Sequence, residues 1–318
     1  MRIFRTVLTA ALSVALLAAC SDRDSPTGSP KGPKPSAPSF EGTYRFDFDG
    51  SQQLARGEPK PMKSWSRTYA LRSTCTDSGC VATATTLTDG NPTQKSDPPH
   101  DLVLDYVDGH WQTALREDSA CPGSEIRGPS ITAWILGPQP DGTLTGTRYV
   151  AMNPTPDCAV AAQTPMTVTR LSDVNAGISV ADPAKQPPRS PSAPESLVGH
   201  YSETSGLHDS SNTQVLRVAL QTMCVRNTQQ CMTFKSYLAS GTTVVSSLLF
   251  NNGKWLLDEP TDINCPNGPA AGTVMHQEYP LPQPVSNPLP RLTGHARIDA
   301  AASCPAQQLD ISLERTGD

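Results

Sequence analysis

The residues whose types could do chemistry are nine cysteines and six histidines. Eight of the cysteines fall into two groups of four. Cys75, Cys80, Cys121 and Cys158 are spaced by 5, 41 and 37 residues, and Cys224, Cys231, Cys265 and Cys304 by 7, 34 and 39. None forms a CxxC pair, and no two histidines stand at zinc-ligand spacing, so these thiols read as disulfide partners and not as metal ligands. Two independent groups of four allow three pairings each. The short separations favour Cys75–Cys80 and Cys224–Cys231 as staples across hairpin turns, which leaves Cys121–Cys158 and Cys265–Cys304.

The histidines (His100, His110, His200, His208, His276 and His295) sit in no HExxH motif. A G-x-S-x-G elbow and a Ser-x-x-Lys motif are absent as well. Asp47-Phe48-Asp49-Gly50 opens like a calcium loop, but the later ligand positions are missing. No catalytic residue, metal site or cofactor is therefore expected, and the chain reads as a non-enzyme. Trp111 and Trp255, each beside a turn, are candidate ligand-binding residues. Core packing is the commoner use of such a tryptophan.

Cys20 has a chemistry of its own. Arg2 and Arg5 precede an apolar run from Val7 to Ala19, which is too short for a membrane span and the length of a secretory h-region. The run ends in Leu17-Ala18-Ala19-Cys20, which resembles the lipobox of bacterial lipoproteins. The expectation is a signal peptide over 1–19 and an acylated Cys20 on the extracytoplasmic face of a cell membrane, where disulfides persist. Loss of the two arginines takes the formal charge from −5 to about −7, which argues against nucleic acid as a partner.

These residues need elements to position them. Proline is abundant, at 31 residues, and aromatics are scarce, at 5%. No stretch after residue 20 has a long amphipathic helical period, so strands and turns dominate. Residues 20–41 read as a disordered Pro/Ser-rich stalk, and a second such stretch runs from Ala181 to Glu195. The chain divides into a β module over 42–175, a Pro-rich linker over 176–196 and a second β module over 197–318.

The modules look like tandem repeats. Gly42-Thr43-Tyr44 opens one and Gly199-His200-Tyr201 the other. Asp108-Gly109-His110-Trp111 matches Asn252-Gly253-Lys254-Trp255, and each tryptophan precedes a Cys-Pro by ten residues. Leu144-Thr145-Gly146 matches Leu292-Thr293-Gly294. Tyr44, Phe46 and Phe48 alternate with polar residues, as a half-buried strand requires. Asp-Gly and Asn-Gly supply the turns of two hairpins. Eight strands are expected in the first module, near 43–49, 67–74, 80–87, 101–107, 110–116, 130–136, 143–151 and 165–171. The fold class is thus all-β: two tandem, disulfide-stapled antiparallel modules, each a barrel or a sandwich.

The residues that open the first module resemble a known domain. They are Gly42 to Asp49, Arg72-Ser73-Thr74-Cys75-Thr76, Gly79 to Thr83, Asp105 to Gln112 and Pro138 to Leu144. The resemblance is to mycobacterial and actinobacterial lipid-anchored or secreted proteins of unassigned function, and to the extracytoplasmic segment of some mycobacterial membrane serine/threonine protein kinases. It implies a scaffold and carries over no catalytic residue. The kinase motifs themselves (a Gly-rich loop, H-R-D, D-F-G) are absent from this sequence. The functional expectation is a cell-envelope module that binds or senses a lipid, peptide or wall-derived ligand. The alternative is a structural or adaptor lipoprotein that contacts a membrane protein, and an envelope hydrolase ranks last. An apolar-lined cavity would discriminate in favour of a lipid ligand.

Overall fold

In the computed structural model, residues 37–208, 210–239, 241–263, 271–300 and 304–318 are described. The expected signal peptide, Cys20 and most of the stalk lie outside them.

The first module forms β1 (Gly42–Phe48), β2 (Leu54–Ala55), β3 (Glu58–Pro59), β4 (Trp65–Thr76), β5 (Gly79–Thr88), β6 (Asn91–Lys95), β7 (Asp101–Val107), β8 (His110–Ala120), β9 (Arg127–Pro138), β10 (Leu144–Met152) and β11 (Val160–Ser172). β1 pairs with β4 on one side and β11 on the other, which closes the eight long strands into an antiparallel barrel. Closure removes the exposed edges that a sandwich would leave. All eight sequence-expected strands are in this ring, while β2, β3 and β6 are short additions to it.

The second module is a closed meander of β12 (Gly199–Leu207), β13 (Thr213–Cys224), β14 (Cys231–Ala239), β15 (Thr242–Asn251), β16 (Lys254–Ile263), β17 (Ala271–Pro280), β18 (Arg291–Ile298) and β19 (Gln307–Gly317). Both hairpin turns hold two residues at positive φ, Asp108 and Gly109 in one barrel and Asn252 and Gly253 in the other. That geometry matches the twist of the strands they join.

Alternation fills the barrel interiors. Tyr44, Phe46 and Phe48 point inward with Tyr69, Leu71, Leu104, Leu136 and Val168. Phe40, expected in the stalk, is instead buried against Tyr44 and Trp111. A large aromatic gains more from the end of the barrel than from water, so the folded part begins before residue 42.

The Pro-rich linker also differs from expectation, because it is packed. Ile178 and Val180 bury against Ala70 and Leu87, and the Thr83 hydroxyl donates to the Ala181 carbonyl. Farther along, Arg226 and Asn227 of the second barrel donate to the Pro187 and Pro188 carbonyls. Both barrels fall within one compact unit. Their seam sets Ala114, Ile131, Ala133, Ala151 and Ala161 against Met223, Met232, Phe234 and Val245. Small outward alanines on one barrel let large side chains of the other approach closely.

Candidate functional site

Trp111 and Trp255 are core residues. They are 1% and 0% exposed, and they pack on Phe40 and Tyr106, and on Phe250, respectively. Neither lines the cavities described below. The structure joins Cys75 to Cys80 and Cys224 to Cys231, each bond crossing a directly paired position at the end of a hairpin. Cys121 is joined to Cys158. Cys304 is disulfide-bonded, and Cys265 lies outside the described residues.

Strand pairing allows the two interiors to be compared position by position. Counted from the matching tyrosines, disulfides and tryptophans, Phe46, Ala84 and Trp134 of the first barrel stand where the second has Glu203, Lys235 and Gln277. Lys235 Nζ lies 3.1 Å from Glu203 Oε2 and 3.3 Å from Gln277 Oε1, with all three side chains buried. The first barrel spends this layer on apolar packing, and the second on an ion pair with a neutral hydrogen-bonding neighbour.

Both barrels part at the same place. β7 and β8 pair from Val107–His110 to Asp105–Gln112, and β15 and β16 from Asn251–Lys254 to Leu249–Leu256, after which the strands diverge. In the second barrel the gap receives the β2–β3 hairpin of the first. The Val245 amide donates to the Arg56 carbonyl at 3.1 Å, and Arg56 Nη2 lies 2.7 Å from Glu259 Oε2. Burial raises the Glu259 carboxyl above its ordinary range, opposed by Arg56 and Lys235 and assisted by Glu203. At the hairpin tip, a Cβ on Gly57 would stand 2.0 Å from the Thr243 carbonyl oxygen, at φ +91°. Only glycine fits there.

The divergence of β7 and β8 faces a cleft of about 470 Å³ between the barrels, lined in part by Asp105, Trp134 and Arg226. Arg226 Nε pairs with Asp105 Oδ2 at 2.8 Å across it.

The open end of the first barrel is different in kind. Trp65 stacks on Phe48 with centroids 4.8 Å apart and planes 9° apart, and the Arg148 guanidinium lies 5.7 Å from the indole centroid. Arg148 is the register partner of Trp134 on the neighbouring strand, and the Trp134 ring packs on Phe46, Phe48 and Tyr69. Inward-facing Glu117 completes the layer and accepts from the Thr132 hydroxyl. Burial lowers the pKa of Arg148, with Glu117 and Tyr69 acting in the opposite sense. Burial pushes the Tyr69 hydroxyl up to about 12, so it stays protonated at any physiological pH. Beyond the Trp65–Phe48 stack the barrel rim opens into a cavity of about 640 Å³ that includes Asp47, Asp49 and Ser64.

On the outer wall of the second barrel, His208, His276 and His295 border a depression of about 560 Å³. His276 lies 2.6 Å from Asp258 Oδ1 and 3.2 Å from Asp299 Oδ2, and Asp310 takes contacts from both His208 and His295. Spacing along the sequence gives no sign of this grouping, because strand register sets His276 and His295 near one another and barrel closure adds His208. Among the described residues no group of three or more His, Cys, Asp or Glu has metal-binding geometry.

The first of the two closed eight-stranded barrels resembles a domain of known proteins. Residues 37–185 match the family described as the PknI serine/threonine-protein kinase sensor domain, so the first barrel is homologous to the sensor domain of that kinase. The serine/threonine-protein kinases PknI of Mycobacterium tuberculosis and Mycobacterium bovis are each 30% identical over 160 residues, covering 46% of this chain and 27% of theirs. The chain thus spans about a quarter of the length of the curated relatives it matches. A solved structure of the monomer form of the M. tuberculosis PknI sensor domain is 28% identical, with a TM-score of 0.42, covering 47% of this chain and all of that one.

Proposed function

We propose that this protein is a non-enzymatic sensing head of the cell envelope, held at the extracytoplasmic face of a membrane by a lipid on Cys20, and that it binds a small polar ligand at the open end of the first barrel. The observation that carries this reading is the layer formed by Trp65, Tyr69, Trp134 and Arg148. It offers hydrogen-bond donors and stacking surfaces inside the barrel that is homologous to a kinase sensor domain. The bonded cysteines favour an oxidising compartment. Both barrel interiors are filled by side chains, which weighs against a lipid held in an apolar lumen and in favour of a polar ligand at the mouth.

A second reading has its own observation. Leu207, Val215 and Leu238 are 47%, 60% and 71% exposed at one end of the second barrel. Exposed apolar side chains at that end suit an adaptor that touches a membrane protein.

The reading is tested with the full chain expressed in an actinobacterial host. The proposal expects an intact mass of residues 20–318 plus a diacylglyceryl group, recovered in the membrane fraction. It also expects Cys20→Ala to release the protein into the soluble extracytoplasmic fraction. A C20A variant that stays membrane-bound contradicts the anchor. Cross-linking that captures a membrane protein, and is lost in Leu238→Asp but not in Arg148→Gln, favours the adaptor.

A further inference from the structure

Three hydrogen-bond donors in the open-end layer of the first barrel have no acceptor among the described residues, and one of them is closed to solvent. Trp134 Nε1 is buried with no partner among the described residues. The Tyr69 hydroxyl, on a side chain 5% exposed, makes no hydrogen bond to any described residue. The half-buried Arg148 guanidinium has neither a hydrogen bond nor an ion pair among the described residues and lies over the Trp65 face. Buried polar groups in folded proteins are almost always satisfied, and those that are not call for a water, an ion or a ligand. Trp134 Nε1 is the buried donor that calls for an acceptor, and Tyr69 and Arg148 set two more donors beside it, facing solvent and without a partner among the described residues.

From these donors we infer that the open end of the first barrel is a binding site for a small monoanionic carboxylate, taken by Arg148 with Tyr69 and Trp134 assisting, and with Trp65 stacked over the bound group. The inference rests on the sensing reading and names its ligand class.

Guanidinium and carboxylate match in plane and spacing, so a two-point contact is available. Charge selects among anions. Arg148 is one positive charge, and Glu117 stands in the same layer outside ion-pair distance. Glu117 already offsets Arg148 in part, so a bound monoanion leaves the layer one negative charge in excess and a phosphate dianion leaves it two. The acidic groups at the rim are already engaged. Asp47 pairs with Arg45, and Asp49 accepts from the Ser51 amide and from the Ser51 and Ser64 hydroxyls. Arg45 offsets Asp47, while Asp49 keeps its negative charge, which repels a dianion more than a monoanion. The Trp65–Phe48 stack adds a preference for a carboxylate carried on a flat or apolar group.

The test is isothermal titration of the delipidated full chain with propionate, benzoate, N-acetylalanine and inorganic phosphate. Benzoate and N-acetylalanine represent the two sources of the chemistry, a free aromatic acid and a peptide terminus. The expected result is saturable binding of carboxylates, none of phosphate, and tighter binding of benzoate than of propionate. Arg148→Gln should weaken binding tenfold or more, and Tyr69→Phe, which removes one hydroxyl and keeps the ring, several-fold. Arg116→Gln, an exposed arginine on the outer face of β8, should leave it unchanged. If Arg148→Gln loses its near-ultraviolet circular dichroism, Tyr69→Phe carries the test. Carboxylate affinity unchanged in Tyr69→Phe and in folded Arg148→Gln overturns the assignment, as does tighter binding of phosphate. A neutral or cationic compound that co-purifies with the protein would overturn the carboxylate while leaving the sensing reading intact. A protein that binds none of the probes and co-purifies with nothing would overturn both.

Discussion

Removing Arg56 should uncover a charge that the fold otherwise hides. Arg56 and Glu259 meet at 2.7 Å, with side chains 36% and 11% exposed. Breaking a fully buried pair costs about 3–5 kcal/mol, and an exposed pair contributes about 1 kcal/mol at most. Arg56 is partly solvated, and Lys235 still offsets Glu259 in part, so Arg56→Ala should cost about 2 kcal/mol at pH 7, between those limits. The pH dependence has a definite sign. Burial already raises the Glu259 carboxyl in the folded state, and loss of Arg56 raises it further. A folded carboxyl with a raised pKa holds its proton when the unfolded one releases it. It therefore lowers stability as pH climbs from the ordinary carboxylate range towards the folded value. The deficit of Arg56→Ala should be small near pH 4.5 and reach its full size by neutrality. Urea unfolding followed by tryptophan fluorescence, on Arg56→Ala, Glu259→Gln and the double variant, gives the coupling. The double variant should recover most of the loss. Additive penalties, or an Arg56→Ala deficit flat from pH 4.5 to 7.5, would refute the claim that this contact joins the barrels through a buried charge.

Three further outcomes follow from the packing. Lys235→Met alone leaves Glu203 unpaired inside the second barrel and should cost about 3–5 kcal/mol, while Lys235→Met with Glu203→Leu should return close to the parent stability in the same denaturation assay. Phe40→Ala empties a buried aromatic site at the end of the first barrel and should cost about 3 kcal/mol, which denaturation of a chain beginning at residue 37 would measure. Burial depresses the pKa of His276, but its hydrogen bonds to Asp258 and Asp299 and their charges more than offset this and raise it. Its contribution is thus present below about pH 6.5 and lost as pH rises through the folded value. His276→Gln should therefore lose about 0.5 kcal/mol at pH 5.5 and little at pH 8, as befits a partly exposed contact. An equal loss at both pH values would count against it.

Local signals carried much of the fold. Alternation over Tyr44 to Asp49 located β1, and Asp108-Gly109 and Asn252-Gly253 located the two hairpins, because period and turn chemistry are written in neighbouring residues. Barrel against sandwich stayed open, since the deciding contact, β1 with β11, joins residues more than a hundred positions apart. The β2–β3 hairpin escaped notice for a related reason. Its strands are two residues long, and its partners, Ala161 and Val245, are distant. Ile178 and Val180 in the proline-rich linker were the apolar signal that this segment packs, and its prolines masked it. At the open end, Trp65, Tyr69, Trp134 and Arg148 come from three strands, and nothing in their spacing links them. Trp111 and Trp255 sit beside turns, as a ligand-binding residue can, but that position directs them inward. Glu203 and Lys235 break the apolar pattern of inward positions, yet neither identifies its partner from sequence.

If this head captures a ligand at the open end of its first barrel, native mass spectrometry of the protein extracted from membranes will detect it. A noncovalent small acid is expected on the parent protein, absent from folded Arg148→Gln and retained by Arg116→Gln. A parent protein with no bound species and no response to added carboxylates, or a bound species indifferent to Arg148, would contradict it.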